Sequence, residues 1–130
     1  RQGWFGYYWA PTAILGKYDL VRLEMGVDHD SAEWARCTGQ ANCVDPKKND
    51  WTRSDVMTVT SSRFAEMAPE AFSYVSKRSW PNSIVNAMLA FMDENQAEGE
   101  EGAEKFLKDY EDVWRKWVPD EIAKKVKAAL

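Results

Sequence analysis

Only three short stretches of this chain carry the two-residue period of a strand, and everything after residue 60 carries the three- to four-residue period of helices. The first runs from Trp4 to Tyr8 and is ended by Pro11. Pro11 opens a short helix predicted over Pro11–Leu15, which Gly16 is expected to stop. In the second, Tyr18–Met25, the apolar Val21, Leu23 and Met25 alternate with Arg22 and Glu24. The third is the β-branched run Asp55–Thr60. Residues 26–54 between them are mostly irregular, with a single helical turn predicted at Ser31–Arg36.

The helical half follows from caps and spacing. Ser61 or Ser62 caps the first helix, and Pro69 sits where a first turn tolerates it, opening a segment that runs to Lys77. Another helix is predicted over Ser83–Glu94, with Ile84, Met88, Phe91 and Met92 on one face. The acidic run Glu98–Glu104 reads as a solvated helix start. From there Ala103, Phe106, Leu107, Tyr110, Val113, Trp114 and Trp117 hold one helical stripe, which reads as core. A last helix spans Asp120–Leu130, with its lysines late, where the helix dipole favours them. Three strands and about five helices imply an α/β layered architecture with too few strands for a complete sheet.

Composition excludes several classes. A length of 130 residues fits one domain or a piece of one. Lys and Arg number 17 against 21 Asp and Glu, a formal net charge of −4, which argues against nucleic acid as a partner. No apolar run approaches the roughly 18 residues of a membrane span. The chain begins Arg1-Gln2-Gly3-Trp4, with neither an initiator Met nor a signal segment, so it is expected to be a mature, trimmed or excised piece. His29, the only histidine, lies between two aspartates in a loop and reads as a surface residue. With no phosphate loop, nucleophile elbow or His-rich metal motif, nothing points to an enzyme or a cofactor.

Cys37 and Cys43 lie in the polar stretch C-T-G-Q-A-N-C. Their spacing suits a short disulfide loop and hence an oxidising compartment. Free thiols are an alternative, and so is a metal held by both thiolates with His29 and Asp28 or Asp30. Structural zinc, however, draws on closer Cys-x-x-Cys pairs.

The aromatic opening is the informative part. Trp4, Phe5, Tyr7, Tyr8 and Trp9 fall within six positions. Alternation sends Phe5, Tyr7 and Trp9 to one side and Trp4 and Tyr8 to the other. Rings on such a segment can pack a core. They can also cage a quaternary ammonium, which has no proton to donate and is held by ring faces. The residues leave both uses open.

At G-Y-Y-W-A-P-T-A-I-L-G-K-Y-D-L-V-R-L (6–23) the chain resembles the glycine betaine/proline-type substrate-binding proteins of ABC importers. The likeness continues through S-D-V-M-T-V-T-S-S-R-F-A-E-M-A-P-E-A (54–71) and the tail from Ala103 to Leu130. The loop at 26–54 with its cysteine pair has no place in that pattern. The resemblance implies an α/β, type II periplasmic-binding-protein-like fold, this chain being the C-terminal part of a two-lobed sandwich with a mixed sheet. Residues 1–25 would close the second lobe and form the crossing strand, and residues 26–130 would return to the first lobe.

The same resemblance implies capture of glycine betaine, or a related quaternary-ammonium osmoprotectant, in an aromatic cage. The family's aromatic-Trp-x-Pro segment matches Trp9, followed by Ala10 and Pro11, with Tyr8 and Tyr7 as further candidates. Trp51 and Arg53 are candidates for approaching the cleft. Partners would be the ligand, a membrane permease with its ATPase, and the remainder of the two-lobed protein or a swapped copy. The location would be the periplasm, or a lipid anchor outside the cell. The isolated chain is expected to associate and to bind betaine weakly or not at all. Choline, carnitine, proline betaine or dimethylsulfoniopropionate as ligand, or a structural domain with every Trp in the core, are the alternatives.

Overall fold

The computed structural model describes residues 3 and 5–130. Among them the regular structure is helical throughout: α1 (Ala13–Lys17), α2 (Ser31–Glu33), α3 (Ser62–Met67), α4 (Pro69–Lys77), α5 (Asn82–Asn95), α6 (Gly99–Asp109), α7 (Glu111–Trp114) and α8 (Asp120–Ala129). A π turn, Trp34–Thr38, continues α2, and a 3-10 turn, Arg115–Trp117, continues α7. The chain divides into two compact units, Arg1–Leu20 with Thr58–Leu130, and Val21–Met57.

No strand forms among the described residues, which overturns the expected α/β, type II periplasmic-binding-protein-like sandwich with a mixed sheet. Residues 5–8, 18–25 and 55–60 pair with nothing in a ladder; Trp4, the expected start of the first strand, lies outside the described residues. The reason is that a strand's N–H and C=O groups are satisfied by a neighbouring strand and not by the segment itself. A two-residue period marks a segment able to pair; it does not supply the partner. Val56 and Val59, the β-branched residues of the third stretch, are 96% and 88% exposed.

The helices fare differently because their hydrogen bonds close within each segment. Ser61 Oγ accepts from the Phe64 N–H at 3.3 Å, and Pro69 stands at the start of α4. The Glu98 N–H donates to the Glu101 carboxylate at 2.9 Å, tying off the start of α6. Gln96, at φ 52° and ψ 35°, ends α5 in the left-handed region, and the Ala97 N–H closes back on the Met92 carbonyl at 2.9 Å.

Two local expectations need correction. Gly16 does not stop the first helix; it lies inside α1, where its missing side chain lets the backbone approach α5. The aromatic stripe is not carried on one helix either. Tyr110, at φ −123° and ψ 44°, separates α6 from α7, and the two pieces fold against each other. Phe106 on α6 then stacks on Trp117 past the break, with centroids 5.6 Å apart and planes 14° from parallel.

Trp114 and Trp117 are 3% and 6% exposed and, with Ala123 of α8, form the core of this unit, as their spacing indicated. The Trp114 indole N–H donates to the Leu107 carbonyl at 2.8 Å, so its one polar atom enters the interior paired. Phe106, Leu107, Val113, Val118 and Val126 pack around them.

Candidate functional site

Residues 5–10 are irregular and exposed and lead through a cis Ala10–Pro11 bond toward α1. Alternation on a chain without helical turns puts residues 7 and 9 on the same side. Tyr7 and Trp9 indeed meet edge to face, centroids 6.3 Å apart and planes 74° apart. Trp9 is 67% exposed, in contrast to the buried Trp114 and Trp117. Tyr8, one residue out of phase, is exposed as well. The pair presents accessible ring faces, whose negative potential attracts a cation even when that cation has no proton to share.

The other candidates lie in the unit Val21–Met57. Trp51 packs its edge on Trp34 at 5.0 Å, and the Arg53 Nε donates to Asp55 at 2.6 Å. The His29 ring sits 5.7 Å from Trp34, and its Nδ1 lies 2.8 Å from the Asp50 carbonyl oxygen. Cys37 and Cys43 form a disulfide with Cα atoms 5.2 Å apart, so neither thiol is left to ligate a metal.

Glu33 organises the same unit. Its carboxylate takes a two-pronged contact from Arg36, Nε to Oε2 at 2.7 Å and Nη2 to Oε1 at 2.9 Å. The Lys47 backbone N–H donates to Oε1 at 3.0 Å. Arg36 also reaches the Asp45 carbonyl at 3.0 Å, closing the loop that contains the disulfide. The Arg36 hydrogen bonds, then the Lys47 N–H, hold the Glu33 carboxyl down at about 2, outweighing the opposing effect of burial. Sequence reasoning passed over Glu33; its i, i+3 spacing to Arg36 was the available signal.

A second feature was also missed. In the helical unit a cavity of about 620 Å³ opens among Tyr74, Trp80, Met88, Met92, Phe106 and Trp117. The Arg78 guanidinium lies over two rings of this wall, 5.0 Å from the Trp80 centroid and 6.0 Å from that of Tyr74. Periodicity marks these residues as buried-facing, and only their arrangement shows that they enclose space.

No helix among the described residues is long and apolar enough to cross a membrane. Neither a curated protein nor a solved structure matches the chain. The family described as the substrate binding domain of ABC-type glycine betaine transport system matches over residues 1–109.

Proposed function

This chain belongs to the substrate-binding domains of ABC-type glycine betaine transport systems, and on that premise we propose that it captures glycine betaine through an aromatic cage that includes Trp9 and Tyr7, with Tyr8 as an adjoining ring. Its role is that of a transport component, with a small ligand and a membrane transporter as partners, and not that of a catalyst. The observation that carries the cage is the accessible Tyr7–Trp9 ring pair, in a protein whose other aromatic pairs include a packed core.

The mechanism follows from the chemistry of the head group. A trimethylammonium presents no N–H, so directional hydrogen bonds contribute nothing to holding it. Ring faces attract it by about 0.5–1 kcal/mol each when exposed and about 2 kcal/mol when water is excluded. Closure around the ligand strengthens the attraction by removing solvent, and the ligand favours the closed state only as far as it binds that state more tightly than the open one. In this reading residues 1–25 and 26–130 belong to two lobes that close on the ligand. The chain works in the periplasm or on a lipid anchor outside the cell, and it hands its ligand to a permease driven by an ATPase.

The test is a tryptophan-fluorescence titration to millimolar glycine betaine, with choline, carnitine and dimethylsulfoniopropionate in parallel. A saturable response to glycine betaine that disappears in Trp9→Phe supports the cage. A response retained in Trp9→Phe, or stronger for another onium compound, counts against the ring or the ligand respectively.

A further inference from the structure

The cavity of the helical unit has different chemistry from the exposed ring pair at residues 7 and 9. Its wall is aromatic and aliphatic, and its volume of about 620 Å³ falls in the range of small-molecule sites. One cation stands beside it. The Arg78 guanidinium covers the Trp80 and Tyr74 rings, and its Nε is buried with no hydrogen-bond partner among the described residues. A buried donor left unpaired is unfavourable, and native structures rarely keep one without a reason.

These two facts restrict what can enter. A quaternary ammonium would meet ring faces already occupied by a positive charge, and like charges repel most where water is scarce. An uncharged hydrocarbon would fill the space and leave the Arg78 Nε unsatisfied. A phosphate would bring more charge and hydration than an apolar wall tolerates. A carboxylate on an apolar body satisfies both parts, since the planar guanidinium fork matches two carboxylate oxygens.

We propose that this cavity binds a small monocarboxylate with an aryl or alkyl body, its body against Trp80, Met88 and Phe106 and its carboxylate on Arg78. The inference goes beyond the betaine reading and does not depend on it.

The experiment titrates the chain with 4-phenylbutanoate and with its uncharged amide, reading tryptophan fluorescence. The acid is expected to bind at least tenfold more tightly than the amide. Arg78→Gln should bring the two to parity, and Met88→Trp, which fills the cavity and leaves the guanidinium in place, should abolish both. Trp9→Ala should leave both titrations unchanged, which separates this site from the onium site. Equal binding of acid and amide overturns the proposal, as does binding that survives Met88→Trp. Displacement of 4-phenylbutanoate by glycine betaine would also overturn it, because the two ligands would then share one site. Should Arg78→Gln fail to fold by circular dichroism, the acid-to-amide ratio of the unaltered chain and the Met88→Trp result decide.

Discussion

Asn86 of α5 meets α1 on two sides of Gly16. Its side-chain oxygen accepts the Thr12 N–H at 2.7 Å, and its backbone carbonyl lies where a β-carbon on Gly16 would have to go. Such a β-carbon would stand 2.7 Å from the Asn86 carbonyl carbon and 2.8 Å from the Ala90 Cβ. Lys17, the next residue, pairs with Asp93 further along α5, and that hydrogen bond raises the lysine's pKa. A five-residue helix is therefore held by the docking of its backbone and not by its own propensity.

Gly16→Ala should be destabilising. Overpacking costs about 1–3 kcal/mol, and the obstruction is backbone, which cannot swing aside. The gain in helix propensity, up to about 1 kcal/mol, offsets only part. Urea unfolding should show a lower midpoint. Gly99→Ala, where nothing lies within 4 Å, is the control and should be neutral or stabilising. Similar midpoints for the two variants would refute the close approach.

Glu33 should make the unit Val21–Met57 acid-sensitive in a defined window. Its pKa falls from the ordinary 4.5 to about 2 on folding. Between those values the unfolded chain binds the proton and the folded one does not, so stability rises with pH there. The contribution is complete above pH 4.5 and is lost as pH falls through about 2. Trp34 fluorescence followed in urea from neutral pH downward should show this loss, and Glu33→Gln should flatten it. An unchanged acid slope in that variant would remove Glu33 from the account.

The disulfide closes a loop between residues six apart in sequence. For so short a loop the chain-entropy model gives about 2 kcal/mol. Cys37→Ser with Cys43→Ser should lower stability by about that much, and reduction of the unaltered chain should do the same. No change on reduction would show that the Glu33 contacts suffice to hold the loop.

Trp9 carries the betaine proposal. Trp9→Ala should weaken glycine betaine binding by about 0.5–2 kcal/mol, roughly 2- to 30-fold, and Trp9→Phe should weaken it less. Calorimetry on the two variants decides, and equal losses would argue against a ring-face mechanism.

Exposed, β-branched and unpaired stretches favour association. Val56 and Val59 meet that description. Sedimentation should show concentration-dependent association that Val56→Lys with Val59→Lys suppresses. A monomer at all concentrations would mean these valines contact nothing in solution.

What could be read in advance was local. Pro69 and Lys77 bound α4 at the residues that the spacing marks, and Ser61 caps α3. Helix hydrogen bonds run from residue i to residue i−4, so the information lies inside the segment. The cysteine spacing closed its own short loop for the same reason, and the alternation of the aromatic run was enough to bring Tyr7 to Trp9.

What required the tertiary structure was everything settled between segments. The three alternating stretches are not strands, because a ladder needs a second segment that no two-residue period can provide. Gly16 reads alike as a stop and as a contact until α5 lies against it. The turn at Tyr110 and the cavity beside Arg78 likewise depend on how separate helices meet: periodicity says which faces turn inward, and only packing says whether those faces fill the space between them.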